Sequence, residues 1–121
     1  MSKDKINSSF EFENRHFILD VVYFSNGLFI TLTEGTVNTF GSLSISIKTD
    51  TQINTNTIIP SKYSPIFCQL ISEMSCNLSK GIAVVSVYLA NDLTPDMANK
   101  ILEKIAPYTS VSSDSFIMST T

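Results

Sequence analysis

Side chains able to do chemistry are few in this 121-residue sequence, and they lie far apart. The single histidine, His16, lies near the start of a predicted strand, and no nucleophile motif accompanies it. The two cysteines, Cys68 and Cys76, fall on one predicted helix, whose rise separates them by about 12 Å. That distance is too long for a disulfide or for shared metal ligation, so we predict no metal site. Because the lone histidine has no nucleophile motif beside it, we also predict no catalytic residues.

The remaining chemical candidates are the glycines and one acidic residue. The four glycines form neither a phosphate-binding loop nor a dinucleotide fingerprint, so no cofactor is expected. Asp20 interrupts segment 17–24, which is otherwise hydrophobic on both faces when it is drawn as a strand. It is either a functional acid or an ordinary residue that lies near a sheet edge or pairs with a lysine, and we favour the second alternative.

The composition is that of a single globular domain, with 43% hydrophobic residues, 16% charged residues and a formal net charge of −3. The lysines and arginines do not cluster, which argues against nucleic-acid binding. No apolar run approaches the roughly 18 residues of a membrane span, and the N-terminal MSKDKINSS lacks the apolar core of a secretory signal. Together with the reduced cysteines, these features predict a protein of the cytoplasm or the nucleus.

The segment that the other elements must surround is 82–89, IAVVSVYL, which is hydrophobic on both faces as a strand. Such a strand belongs in the middle of a sheet that is covered on both sides. Hydrophobic patterning predicts five earlier strands, at 10–13, 17–24, 28–33, 42–47 and 57–59, with 48–56 as a loop. In the strand at 42–47, the alternation predicts Leu43, Ile45 and Ile47 inside and the three serines outside.

Turn and capping residues place the hairpins and the helices. Asn26-Gly27 is a strong signal for a tight hairpin, and Asn14-Arg15 predicts the turn before it. Ser64-Pro65 opens the first predicted helix, and Thr94-Pro95 opens the second, which ends at Pro107. Strands followed by helices predict an α+β fold, with a largely antiparallel sheet of about six strands and two helices in the C-terminal half. We predict a flexible tail at 1–8, one domain at 9–107 and a Ser/Thr-rich tail at 108–121.

Two helices can cover about one face of such a sheet. The other face then holds several of Val22, Phe24, Phe29 and one side of segment 82–89. Leaving four such side chains in water forgoes roughly 6–12 kcal/mol, which is comparable to the whole stability of a domain. The sequence therefore predicts an obligate dimer that packs sheet against sheet. The alternative is a monomer whose helices lie on opposite faces of the sheet.

Three stretches together resemble the proteasome assembly chaperone family. They are the hairpin Phe24-Ser25-Asn26-Gly27-Leu28-Phe29-Ile30, the strand start Gly41-Ser42-Leu43, and the helix–strand–helix block at 70–105. The sequence is most similar to the third subunit type, with the fourth type as the near alternative. The resemblance covers roughly residues 9–106, and the Thr/Asn-rich segment 48–57 and the chain after Tyr108 depart from it.

The resemblance implies a non-enzymatic, cofactor-free chaperone that heterodimerises with a sibling subunit and binds α-type subunits of the 20S proteasome during assembly of the α-ring. Our candidate contact residues are hydrophobic side chains that we expect to be exposed and residues of the loop 34–41. They are Phe24, Phe29, Glu34, Thr36, Phe40 and Tyr88. Two alternatives stay open: a small dimeric regulatory or trafficking adaptor of similar build, and an enzyme whose pocket involves His16 or Asp20.

Overall fold

The computed structural model describes residues 5–78 and 81–111, which form a six-stranded sheet with two helices. In chain order the elements are β1 (Lys5–Phe12), β2 (Arg15–Phe24), β3 (Gly27–Glu34), β4 (Ser42–Lys48), β5 (Ile53–Ile59), α1 (Phe67–Leu78), β6 (Ile82–Tyr88) and α2 (Pro95–Val111). The strand order across the sheet is β1-β2-β3-β6-β4-β5, and only β3 and β6 pair in parallel. The α+β fold with a largely antiparallel sheet is therefore confirmed.

Both helices pack on the same face of the sheet. Helix α1 lies over β4, β5 and β6, while α2 lies over the other half, where Met97 contacts Arg15 and the Tyr108 carbonyl accepts a hydrogen bond from Tyr23. Alternate side chains of β2, β3 and β6 are buried beneath the helices: Phe17, Leu19, Val21, Leu28, Ile30, Leu32, Ala83, Val85 and Val87. Neither helix within the described ranges is long and apolar enough to cross a membrane.

The orientation that we predicted for β4 is wrong. Ser42, Ser44 and Ser46 are the buried side chains, and they alternate with residues that point away from the helices. Alternation identifies residues that share a face but does not say which face is covered. Helix α1 presents small side chains to these serines, and the Ser46 hydroxyl hydrogen-bonds that of Ser72 at 2.8 Å. The hydrophobic side of β4 consequently faces away from the helices.

Strand β5 includes the predicted strand at 57–59 but begins four residues earlier, inside the segment that we predicted as a loop. Its pairing with β4 begins at Ile53, and its Thr and Asn side chains suit an edge strand, where one side of the backbone meets solvent. On the side facing α1, Thr55 hydrogen-bonds Ser46 at 2.8 Å, and Gln69 donates to Thr57 at 2.6 Å. These side-chain hydrogen bonds help to hold β5 at the edge of the sheet. The low hydrophobicity of the segment does not predict a strand there.

The second hairpin is present as predicted, but its turn consists of Ser25-Asn26, and Gly27 already pairs with Phe24. Gly27 is needed for packing, because a Cβ atom there would lie 2.2 Å from the Ile82 carbonyl oxygen of the parallel neighbour. We expect Gly27→Ala to destabilise the fold by about 2–4 kcal/mol, since backbone must move to admit the methyl group. Urea unfolding checks this value, with Ser25→Ala as the exposed control. Equal stability of the two variants would contradict the packing role.

The first hairpin turns at Glu13-Asn14, one residue earlier than predicted, and both residues have positive φ (53° and 67°). Asparagine tolerates this conformation, whereas glutamate is strained by about 1–2 kcal/mol. Glu13→Gly is therefore expected to raise the free energy of unfolding by about 1 kcal/mol, measured as a higher melting temperature. The matched control is Asn26→Gly, at a turn residue without positive φ. No gain from Glu13→Gly would contradict the strain.

The helix boundaries are partly as predicted. The Thr94 hydroxyl accepts a hydrogen bond from the Met97 amide (3.1 Å) and caps α2. Ser64 does not cap α1, which begins at Phe67; its hydroxyl accepts a hydrogen bond from the Leu93 amide instead. Helix α2 continues past Pro107, so this proline does not end it.

The predicted domain limits stay a prediction, although two elements extend beyond them. Strand β1 begins at Lys5, inside the predicted N-terminal tail, and α2 ends at Val111, inside the predicted C-terminal tail. The rest of both predicted tails, residues 1–4 and 112–121, lies outside the described residues.

Candidate interaction surface

The side of the sheet that points away from both helices is called the open face here. Strand register assigns its side chains: Lys5, Asn7, Ser9 and Glu11 of β1; His16, Ile18, Asp20, Val22 and Phe24 of β2; Phe29, Thr31 and Thr33 of β3; Ile82, Val84, Ser86 and Tyr88 of β6; Leu43, Ile45 and Ile47 of β4; and Asn54, Asn56 and Ile59 of β5. No helix covers this face in the part of the chain that the structure describes.

A continuous hydrophobic strip crosses the open face. Val22 is paired with Phe29, Phe29 with Val84, and Val84 with Ile45, so one row spans four strands. The next row adds Phe24, Ile82 and Ile47, and the side chains of Phe24 (55% exposed) and Ile47 (45% exposed) lie largely in solvent. These seven residues are called the apolar band. On soluble proteins, a large contiguous hydrophobic strip that is exposed to solvent usually marks an interaction site.

A polar row borders the apolar band. It consists of Asn7, Asp20, Thr31 and Ser86, which are neighbours across β1, β2, β3 and β6. The Asn7 side-chain amide donates a hydrogen bond to the Asp20 carboxylate. Asp20 thus lies on the strand next to an edge strand, in agreement with the ordinary alternative favoured from the sequence.

The loop 35–41 closes one end of the open face. The Thr33 hydroxyl lies 3.2 Å from the Thr39 amide, which donates to it, and the Gly41 amide donates to the Ser86 hydroxyl at 3.2 Å. These bonds fix the loop against β3 and β6. Val37 and Phe40 project from it with 72% and 68% of their surface exposed. The loop therefore adds hydrophobic side chains beside the polar row.

Glu34 lies apart from the other predicted contact residues, on the helix-covered side of the sheet. Its carboxylate forms a two-pronged ion pair with Arg15 at 2.7 and 2.9 Å and also accepts the Ala90 amide. Arg15 in turn donates to the Asn91 and Asp92 carbonyls. The Arg15 guanidinium holds the pKa of Glu34 below its usual range. The pair ties the ends of β2 and β3 to the β6–α2 connection, a long-range arrangement that sequence patterning does not reveal.

The structure brings three of the six predicted contact residues, Phe24, Phe29 and Tyr88, onto the open face. Thr36 and Phe40 are exposed in the loop 35–41. The contribution of β4, above all Ile45 and Ile47, was missed because those residues were predicted to be buried. The available signal was the set of small residues along the inner side of α1, which lets the helix pack close to a strand that presents serines.

The chemically reactive groups do not converge. Cys68 and Cys76 are free and buried, and burial raises the pKa of both thiols, which disfavours the nucleophilic thiolate. His16 lies 3.7 Å from Glu11 at the surface. Within residues 5–78 and 81–111, no group of three or more His, Cys, Asp or Glu side chains is placed to hold a metal ion.

Comparison with known proteins gives a likeness of fold. No family model matches the sequence, and no curated protein matches it. Among solved structures, the chain is similar to one from a chaperone complex for yeast 20S proteasome assembly, with a TM-score of 0.59 and 13% sequence identity. The alignment covers 87% of this chain and 96% of that chain. At this level of identity, the similarity shows that the two chains share a fold.

Proposed function

We propose that this protein is a non-enzymatic assembly chaperone of the 20S proteasome. It pairs through its open face with a sibling chaperone subunit, and the pair binds α-type subunits while the α-ring assembles. Two supports have separate origins: the sequence resembles the third subunit type of this family, with the fourth as the near alternative, and the fold is shared with a chain of a yeast proteasome assembly chaperone complex. The proposed chaperone needs no cofactor and acts in the cytoplasm or the nucleus.

The observation that carries the proposal is the uncovered apolar band. Two of its seven side chains are about half-exposed and five are partly buried, so covering them would gain at most about 1 kcal/mol each, roughly half the value for complete burial. This gain is of the size needed to offset the loss of translational and rotational freedom on association, about 4–15 kcal/mol, once the loop and Tyr88 contribute. Packing of two sheets face to face, with their side chains interdigitating, is a common way to bury a hydrophobic sheet face.

Affinity purification tests the function. The tagged full-length chain should recover one small partner chain in equal amount, together with α-type subunits and assembly intermediates, and little mature 26S particle. The matched control is the Ile66→Asp variant, which changes an exposed hydrophobic residue next to α1 on the helix side (63% exposed). Recovery of membrane-traffic or scaffold proteins without proteasome subunits would contradict the proposal and support the adaptor alternative.

A further inference from the structure

Charged groups on the open face lie on one side of it. Lys5 and Glu11 belong to β1, and Asp20 belongs to β2, which also carries His16. The strands β3, β6, β4 and β5 contribute only uncharged side chains to the open face over the residues described. Two charged groups border the apolar band: Lys5 is paired with Val22 across β1 and β2, and Asp20 lies two residues before Val22 on the same side of β2.

Covering the open face would take Asp20 out of water. The residue is already half-buried, with Ile18 and Val22 on either side of it along β2 and Thr31 beside it on β3. Its hydrogen-bond donor in the described structure is the Asn7 amide. A carboxylate offers about four acceptor positions, so capacity remains toward the uncovered side. A buried carboxylate without a countercharge is strongly unfavourable.

We propose that the partner chain presents an arginine or a lysine to Asp20, and that this charge pair favours a different chain over a second copy of this one. The inference rests on the proposed function, because it assumes that the open face is the pairing surface. It adds the chemistry of the partner: a hydrophobic sheet face that carries one cationic side chain opposite the polar row.

Symmetry explains why a second copy fits less well. Two copies packed face to face are related by a two-fold axis that lies between the sheets. If the axis runs parallel to the strands, β2 of one copy faces β4 of the other, since these strands lie equally far from the centre of the sheet. Asp20 would then face Leu43 and Ile45 without a countercharge. If the axis runs across the strands at the level of Asp20, β2 faces β2, and the two Asp20 carboxylates approach each other.

Lys5 is the one lysine on the described open face, and it does not remove this difficulty. It lies on the edge strand β1, opposite Val22 and diagonal to Asp20, and its side chain is exposed. No ion pair joins Lys5 to Asp20 in the structure as described. Lys5→Met therefore serves as a control that separates an internal countercharge from one supplied by the partner.

The test measures the affinity of the purified full chain for the partner chain that the affinity purification recovers. Asp20→Asn keeps the shape and the Asn7 contact but removes the charge. Loss of one member of a desolvated charge pair costs 2–5 kcal/mol, so we expect binding to weaken about thirtyfold or more. Asp20→Lys should weaken binding further. Replacing the facing cation of the partner with glutamate should restore the binding of the Asp20→Lys variant. Glu11→Gln and Lys5→Met should stay within about twofold, as for rim charges.

The outcomes separate this inference from the proposed function. If Phe29→Asp abolishes binding while Asp20→Asn binds as tightly as the wild type or more tightly, the open face is the interface and the charge pair is overturned. If Phe29→Asp binds normally, the open face is not the interface, and both proposals are overturned. Formation of a homodimer by the purified chain in preference to the recovered partner would also overturn the selection of a different chain.

Discussion

Replacing Phe29 with aspartate is expected to abolish pairing through the open face. Phe29 lies at the centre of the apolar band, between Val22 on β2 and Val84 on β6. Central aromatic residues of an interface cost about 2–4 kcal/mol or more when truncated, and an unpaired carboxylate adds a desolvation cost. We therefore expect affinity for the partner chain to fall by at least a hundredfold or so.

The variant domain should still fold, because Phe29 is only half-buried and the core residues on either side of it, Leu28 and Ile30, point to the helices. Size-exclusion chromatography with light scattering measures the mass of the complex, and circular dichroism checks the fold. The Ile66→Asp variant should keep the complex intact. An unchanged complex with Phe29→Asp would contradict the location of the interface.

Glu34→Gln is expected to lower the free energy of unfolding by about 2–3 kcal/mol, the range for losing a charge-assisted pair of hydrogen bonds in a poorly hydrated site. The side chains of Arg15 and Glu34 are only 19% and 12% exposed. Glutamine leaves the guanidinium without a countercharge and keeps a single acceptor oxygen for three donors. Chemical denaturation measures the loss, and Glu103→Gln, at an exposed position of α2, is the control.

This contribution depends on pH in a defined direction. Hydrogen bonding to Arg15 lowers the pKa of Glu34 in the folded state, so the carboxylate adds stability above the pKa of an unfolded glutamate, about 4.3. The added stability is lost as pH falls through the lower, folded-state pKa. The stability difference between the wild type and Glu34→Gln should therefore be constant from pH 7 to pH 6 and should shrink below about pH 4. If the stability difference between the wild type and Glu34→Gln stays the same below pH 4, the role of the ion pair is contradicted.

The same variant separates stability from binding. Glu34 was a candidate contact residue from the sequence, but its carboxylate is engaged on the helix-covered side. We therefore do not include it in the proposed interface. Affinity of Glu34→Gln for the partner chain should equal that of the wild type at neutral pH, where the variant remains folded.

The sequence predicted the order of the elements well because the signals are local. Two-sided hydrophobicity at 82–89 placed β6 inside the sheet, and the structure puts it between β3 and β4. Turn residues also located both hairpins to within one residue, since short turns have a local sequence signature. The prediction that two helices would cover one face is confirmed, because α1 and α2 pack side by side on the same side of the sheet.

The errors concern information that local patterns do not contain. The orientation of β4 depends on which of its faces meets α1, and small residues of that helix select the serines. The place of β5 depends on side-chain hydrogen bonds to β4 and α1. The Arg15–Glu34 pair joins residues 19 positions apart and has no local signature. The observed orientation of β4 places Ile45 and Ile47 on the open face, where they enlarge the apolar band.

Chemical footprinting of the partner complex determines which face of the sheet the partner covers. A carbene probe labels exposed side chains in the free full-length chain and again in the 1:1 complex with the recovered partner. We predict that labelling of Phe24, Phe29 and Tyr88 falls strongly in the complex, while labelling of Ile66 and Leu70 on the helix side is unchanged. Loss of labelling at Ile66 and Leu70, with Phe24 and Phe29 still labelled, would show that the partner binds the helix side and that the open face is not the interface.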